Sequence, residues 1–144
     1  MTSLVLLEFD AAGIKQPSRS AVAAAQALGE VHALVAGSGL DAAAAAAAKL
    51  PGIAKVLTAD SPALDHLLAE PTAALLVALA PNYSHLLAAT TAVGKNIMPR
   101  VAALLDVMSC LGSIRLLPAS RPASLMVAGR TPWQVALPPC AGAR

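Results

Sequence analysis

The sequence predicts an α/β fold: an open, doubly wound and mainly parallel sheet with flanking helices, followed by an irregular tail. Short apolar runs alternate with Ala-rich stretches, which is the pattern of parallel βαβ units. The chain has 144 residues, of which 57% are hydrophobic but only 2% aromatic and 12% charged, so its core must be built from aliphatic side chains. The near-continuous apolar run 4–7 is typical of a strand buried on both faces. The length suits one domain.

The elements follow one another with short turns between them. Residues 3–9 form the first predicted strand, which ends at the turn signal Asp10–Gly13. Pro17–Ser18 suit the start of a helix, and the Ala-rich stretch 19–28 stops at Gly29, a residue that favours a left-handed cap. The remaining predicted elements are strand 31–36, helix 41–50, strand 53–57, helices 63–70 and 71–80, strand 83–88 and a helix from about 96 to 107. Pro99 is expected in the first turn of that last helix, where its missing N–H is tolerated.

The pattern changes near Met108, so we expect an α/β domain over residues 1–108 and a tail over residues 109–144. All eight acidic residues precede residue 107, whereas the segment 107–144 carries four Arg, no Lys and no acid. Five of the eleven prolines also follow Met108. A basic, Pro-rich and Ala-rich segment without helical or strand periodicity is typical of disorder, so the tail is predicted to be largely disordered, with Trp133 at most a local anchor.

Composition also excludes several classes of protein. The longest apolar runs, 42–48 and 73–80, are much shorter than the roughly 18–20 residues of a membrane-spanning helix, so no membrane insertion is expected. The amino terminus has no basic n-region, which predicts a cytoplasmic location. The body has no basic stripe with interleaved aromatic residues, so no nucleic acid partner is expected.

Two glycine-containing turns are the candidates for binding an anion. Gly94-Lys95-Asn96 opens a helix after a strand, and free N–H groups with a nearby Lys95 could hold a phosphate. The segment lacks the spacing of a P-loop and of a dinucleotide-binding fingerprint, so an ordinary solvated turn is the favoured interpretation. Gly37-Ser38-Gly39 is interpreted in the same way, as a turn.

No catalytic or metal-binding arrangement emerges from the remaining polar residues. The three histidines, His32, His66 and His85, have no ligand partners at repeating helical spacing. Cys110 and Cys140 have no partner at metal-ligand spacing, so neither is expected to bind zinc or form a disulfide. Ser84 is not part of a nucleophile elbow. The sequence therefore predicts no catalytic, cofactor-binding or metal-binding residue.

Four segments of the body carry a family resemblance. They are Val31–Gly37, Ala54–Leu57 with Asp60, Tyr83–Ala88 and, most specific of all, Gly94–Val107. Through them the chain resembles the amino-terminal domain of the electron-transfer flavoprotein alpha subunit, in register over about residues 3–108. Departures are small: Phe9 replaces a His that often follows Glu8, and Ala89 replaces the Pro usual in the strand-to-helix turn.

The resemblance implies a subunit of an electron carrier rather than an enzyme. In that family an alpha and a beta subunit together carry electrons from acyl-CoA and related dehydrogenases to the respiratory chain, and FAD lies mainly in a separate carboxy-terminal domain of alpha. None of that domain's motifs follows residue 107, so FAD is expected in the full-length family but not on this chain alone. The resemblance implies a beta subunit as partner.

Residues 109–144 depart from the family pattern, which is acidic at the corresponding position. Their Ala, Arg, Pro and Ser composition is typical of a GC-rich gene read out of frame, which leads to the hypothesis that the frame is lost near Met108; the alternative is a lineage-specific basic tail. The favoured interpretation is an alpha-subunit fragment that keeps the domain on which the beta subunit docks. The alternatives are a small nucleotide-binding module that uses Gly94 and Lys95, and a non-functional truncated product.

Overall fold

The structure is a computed structural model that describes residues 2–107, 109–114 and 123–129. The strands in these ranges are β1 Thr2–Leu7, β2 Phe9–Asp10, β3 Gly13–Ile14, β4 Glu30–Gly37, β5 Ile53–Asp60, β6 His85–Ala89, β7 Ser109–Ile114 and β8 Ala123–Gly129. The α-helices are α1 Gln16–Ala25, α2 Asp41–Ala48, α3 Ala69–Leu79 and α4 Ala92–Leu105. Short 3-10 turns lie at Gln26–Leu28, Pro62–Leu67 and Ala80–Asn82.

Four of the strands form a parallel sheet in the order β5-β4-β1-β6. Strand β1 lies between β4 and β6, so the chain winds outward from β1 in one direction through β4 and β5 and then returns to its other side with β6. This confirms the predicted doubly wound α/β fold. The strands β2 and β3 pair as a small antiparallel hairpin directly after β1, at the turn predicted from Asp10–Gly13.

The core lies on both faces of the sheet because successive strand residues point to opposite sides. On one face, Val5 and Leu7 of β1 pack in a cluster with residues of α1 and α2. On the other face, Leu4 and Leu6 pack with residues of α3 and α4. All four of these β1 side chains are at most 2% exposed, which agrees with the sheet covered on both faces that the sequence predicts.

The helices differ greatly in how much they bury. Helix α4 buries Ile97, Met98 and Val101 completely, whereas α2 buries only Ala43 and Ala47. Alanine side chains are small, so α2 contributes little apolar area to the core even though alanine is the best helix former. The turn before β4 needs Gly29, because its φ of 126° is a conformation that L residues rarely adopt.

The position predicted for Pro99 is wrong. Helix α4 begins at Ala92, four residues before the predicted start, so Pro99 lies inside the helix rather than in its first turn. The early start has a local cause: the Thr91 hydroxyl accepts a hydrogen bond from the Gly94 N–H at 3.2 Å and caps the helix. Burial of the α4 side chains on both sides of Pro99 then keeps the helix continuous past the missing N–H.

The helix predicted over residues 63–70 is also wrong. The chain forms the 3-10 turn Pro62–Leu67, and its geometry is interrupted where Asp65 is extended and His66 is left-handed. The Asp65 carboxylate accepts a hydrogen bond from the His66 N–H at 3.1 Å, which is the kind of local bond that competes with helix formation. His66 therefore lies on a turn and not in the predicted helix.

The segment after Met108 extends the sheet where the sequence predicts an irregular tail. Strand β8 pairs antiparallel with β6, and β7 pairs antiparallel with β8. The side chains of Cys110, Trp133 and Cys140 lie outside the described residues, as do residues 115–122 and 130–144. The disorder expected there and the absence of a disulfide stay predictions.

Candidate functional site

A candidate ligand site lies at the carboxyl edge of the sheet, between β1 and β6. In doubly wound folds, ligands bind outside the carboxyl ends of the strands at the point where the strand order reverses. Here the order reverses between β1 and β6, because β4 lies on one side of β1 and β6 lies on the other. The chain leaves these two strands through Glu8 and through Thr90–Thr91, so these residues define the candidate site.

A buried carboxyl group occupies this position. Glu8 is only 4% exposed, and its Oε1 accepts a hydrogen bond from the Thr91 hydroxyl. Its Oε2 lies 4.0 Å from the Lys15 ammonium, and its backbone N–H donates to the hydroxyl of the fully buried Ser18 at 2.9 Å. The Glu8 side chain is therefore held by Thr91, which caps α4, and by Lys15 at the start of α1, while Ser18 of α1 holds the Glu8 backbone.

At the start of α4, the Gly94 N–H is already hydrogen-bonded and so is not available to bind a phosphate. The Gly94 N–H donates to the Thr91 hydroxyl at 3.2 Å, and that same hydroxyl donates to Glu8. An incoming phosphate would therefore meet a carboxyl group beside the helix start, and like charges at short range repel. Lys95 is exposed. The geometry does not favour the nucleotide-binding alternative that uses Gly94 and Lys95.

Gly94 has a packing role instead. A Cβ atom added at this position would lie 2.0 Å from the carbonyl oxygen of Ala89, the last residue of β6. Glycine thus lets α4 approach the end of β6 more closely than any other residue would.

Gly37, Ser38 and Gly39 form a turn that is bonded to the protein's own loop. The Gly37 carbonyl accepts a hydrogen bond from the Ser61 N–H at 2.9 Å, and the Ser38 hydroxyl donates to Asp65 at 3.1 Å. A Cβ at Gly37 would lie 3.3 Å from the ring of Phe9. The only phenylalanine of the chain therefore lies against this turn.

At the opposite edge of the sheet, three polar side chains form a hydrogen-bonded chain. His32 Nε2 lies 3.2 Å from Glu30 Oε1, and His32 Nδ1 lies 3.0 Å from the Tyr83 hydroxyl. Because a carboxylate only accepts, Nε2 carries the proton in the neutral ring and Nδ1 accepts from Tyr83. Burial raises the pKa of Tyr83, so its hydroxyl keeps its proton and can donate it to His32 Nδ1.

The three histidines contact different neighbours. His32 contacts Glu30 and Tyr83, the His85 ring lies 3.0 Å from the Ser84 hydroxyl, and His66 lies beside Asp65 with 88% of its side chain exposed. The described residues contain no group of three or more His, Cys, Asp or Glu side chains that could hold a metal ion. Among the same residues, no helix has both the length and the apolar character needed to cross a membrane.

Burial of His85 makes the stability of the fold depend on pH. His85 is 7% exposed, and desolvation lowers the pKa of its ring. The unfolded chain then takes up its proton near pH 6.5, before the folded chain does, so the free energy of unfolding should fall as the pH drops below that value. Chemical denaturation at pH 7 and pH 5.5 should show this fall for the unaltered chain and a smaller one for His85→Gln.

His66→Asn serves as the control for this prediction, since His66 is almost fully exposed and asparagine tolerates its left-handed backbone. Its dependence on pH should match that of the unaltered chain. Equal slopes for His85→Gln and the unaltered chain would contradict the role given to His85.

The family model and the similar proteins found for this chain all belong to the electron transfer flavoproteins. The family model for the electron transfer flavoprotein domain matches residues 3–111. Over 94 residues the chain is 56% identical to electron transfer flavoprotein subunit alpha of Paracoccus denitrificans, which covers 65% of this chain and 30% of that protein. Identity to electron transfer flavoprotein subunit alpha of Pseudomonas aeruginosa is 50% over 108 residues, and the match covers 74% of this chain and 35% of that protein. A mitochondrial electron transfer flavoprotein subunit alpha from Arabidopsis thaliana is 40% identical over 125 residues, and this match covers 81% of the chain and 34% of that protein. The chain spans about a third of the length of these relatives.

Proposed function

Because the chain belongs to the electron transfer flavoprotein domain family, we propose that it serves as the platform domain of an alpha subunit, on which a beta subunit docks to form an electron carrier. The observation that carries this proposal is the extent of the match, since residues 3–111 include all four parallel strands and all four α-helices. Alpha subunits of this family are electron carriers rather than enzymes. The complete carrier would take electrons from acyl-CoA and related dehydrogenases.

The packing supports a structural role for this unit. Helices cover both faces of β1, β4 and β6 with apolar side chains, which supports a packed unit that can serve as a platform. Glu8 and Phe9 lie at the carboxyl edge, where this class of fold binds its ligands, and contact the protein's own Thr91 and the turn at Gly37. Such a domain can present its outer surface to another protein while its interior stays unchanged.

We propose that FAD, the cofactor of the family, is not held by the residues described between 2 and 107. Its pyrophosphate would need free N–H groups at a helix start, but the Gly94 N–H is bonded to Thr91 and the adjacent position holds the Glu8 carboxyl group. We therefore assign no FAD contact to these residues. The proposed chemistry of the carrier needs a flavin bound elsewhere in the assembled protein.

Co-expression with a beta subunit tests the proposal. The full chain should co-purify with the beta subunit that pairs with the Paracoccus denitrificans relative, and calorimetric titration of the two purified proteins should give one-to-one binding. The chain alone should show no flavin absorption after incubation with FAD. A soluble, folded chain that does not bind the beta subunit at tens of micromolar would overturn the docking role.

Two further parts of the interpretation are proposals of the same kind. We place the protein in the cytoplasm, which cell fractionation tests.

We also propose that residues after about 108 are read in another frame, because the family match ends at residue 111 and the acidic residues stop at Asp106. Sequencing the coding DNA across codon 108 decides the matter, since an alternative frame should then encode the continuation found in the relatives.

A further inference from the structure

The sheet ends in two outermost strands. Among the described strands, β5 pairs with β4 alone at one end, and β7 pairs with β8 alone at the other. An outermost strand presents a row of unpaired backbone N–H and C=O groups, which can pair with a strand of another chain. We refer to the side of Ser109–Ile114 that faces away from β8 as the β7 edge.

Strand β5 carries charges that protect it from such pairing. It contains Lys55 and Asp60, and both residues are exposed. Lysine on an outermost strand hinders pairing with another chain, because the charge would be held against the added strand. Two copies would also bring their lysines close together, and like charges repel. Strand β5 is therefore poorly suited to extend the sheet.

Strand β7 lacks this protection. Its sequence, Ser-Cys-Leu-Gly-Ser-Ile, contains no charged residue and no proline. Its register with β8 runs without a shift from Ser109 to Ile114, so the ladder contains no bulge that would bend the strand away from a partner. The β7 edge is therefore regular and uncharged.

The rest of the domain holds β7 in place. Strand β8 pairs with β7 over six residues and with β6 over five, so it connects β7 to the parallel sheet. Both β7 and β8 lie next to α4. A strand that is already extended and attached loses little conformational freedom when it pairs with another chain, which favours association.

The two ends of β7 are flanked by opposite charges. Asp106, which is exposed, precedes the strand, and Arg115 is the next residue in the sequence after Ile114. In an antiparallel pair of identical strands, the start of one strand lies beside the end of the other. The acidic end of each copy would then meet the basic end of the other, which is the self-complementarity that a two-fold interface requires.

We propose that the β7 edge is a self-association surface, through which two copies of this chain pair their β7 strands antiparallel about a two-fold axis. The pairing joins the two sheets into one and leaves the charged β5 strands as its ends, so assembly stops at two copies. Only six residues of each chain form the ladder, so the contact is small and the dimer is weak. This inference goes beyond the docking of a beta subunit, which takes no part in it.

Sedimentation equilibrium of the full chain tests the proposal. As the protein concentration rises toward about 1 mM, the mean mass should rise from 14.4 kDa toward twice that value. Ser113→Lys should weaken the association at least about tenfold, because it gives β7 the kind of charge that protects β5. Thr58→Lys, at an exposed position of β5, is the matched control and should stay within about twofold of the unaltered chain.

Three outcomes of this experiment would overturn the inference. The first is a monomer mass at every concentration. The second is growth beyond the dimer, which is incompatible with a closed two-fold contact. The third is an equal effect of Ser113→Lys and Thr58→Lys on the association.

Hydrogen exchange tests the same contact without any substitution. In the unaltered chain, the amide protons of β7 should exchange more slowly as the concentration rises, while those of β5 should keep their rate. Exchange from β7 that stays constant while the dimer forms would show that another surface is used.

Asp106→Asn tests the charges at the ends of the strand. Asparagine tolerates the left-handed backbone of this residue, whose φ is 53°. The variant should associate more weakly than the unaltered chain at low salt, and the difference should shrink at high salt because salt screens exposed charges. Equal association of the two chains at low salt would overturn the pairing of acidic and basic ends.

Discussion

Replacing Gly94 by Ala should destabilise the domain by about 3 kcal/mol or more, since extra atoms in a packed site usually cost 1–3 kcal/mol even where side chains can move. Here the obstacle is backbone: the new Cβ would lie 2.0 Å from the Ala89 carbonyl oxygen and 3.2 Å from its carbon. Residue 89 ends a fully buried strand, so α4 itself would have to move away from the sheet. Urea denaturation of the full chain measures the loss.

Gly39→Ala is the matched control for this prediction. A Cβ at Gly39 meets nothing within 4 Å, and the only cost is the φ of 66°, which is worth roughly 1–2 kcal/mol. If both variants lost the same free energy of unfolding, close packing between α4 and β6 would not be the reason for a glycine at position 94.

Truncating Leu6 to Ala should cost about 3–4 kcal/mol, within the range measured for large-to-small changes in protein cores. Leu6 is 2% exposed on the central strand β1, where its register partners are Leu34 of β4 and Ala88 of β6. Neighbouring strands fix its surroundings from both sides, so the cavity left by the lost methyl groups cannot easily collapse.

Thermal denaturation followed by circular dichroism tests this prediction. Leu104→Ala removes the same atoms from a side chain that is 60% exposed and should change the free energy of unfolding by less than about 0.5 kcal/mol. A small loss for Leu6→Ala, comparable to that of Leu104→Ala, would show that the face packed under α3 and α4 is loose.

The sequence was sufficient to predict the parallel sheet because its strands are nearly continuous apolar runs, and the structure places them at β1, β4, β5 and β6. It did not predict the start of α4. The predicted start placed Pro99 in the first turn, where proline is tolerated. The helix instead begins after Thr91, whose hydroxyl accepts a hydrogen bond from the Gly94 N–H three residues later. The turn at Pro62–Leu67 was not predicted because Ala63, Leu64 and Leu67 favour a helix. The competing bonds join Asp65 to the His66 N–H and to the Ser38 hydroxyl.

The arrangement at the carboxyl edge was not predicted from the sequence either. Glu8 and Thr91 are 83 positions apart, and only the reversal of strand order between β1 and β6 brings them together. A signal was present, since each follows a strand closely and polar residues in that position gather at one edge of a parallel sheet. The sequence marks Gly94 as part of a possible anion-binding turn. Its role in packing depends on the distance between α4 and β6, which sequence patterns do not specify.

The alanine-rich helix α2 has a consequence for how the native protein fluctuates. Because only Ala43 and Ala47 are buried, detaching this helix exposes little apolar surface, and the free energy of that local opening is far below that of global unfolding. Helix α4, with Ile97, Met98 and Val101 fully enclosed, opens only together with the sheet. The amide protons of α2 should therefore exchange with solvent through a local motion, while those of α4 should report the stability of the whole domain.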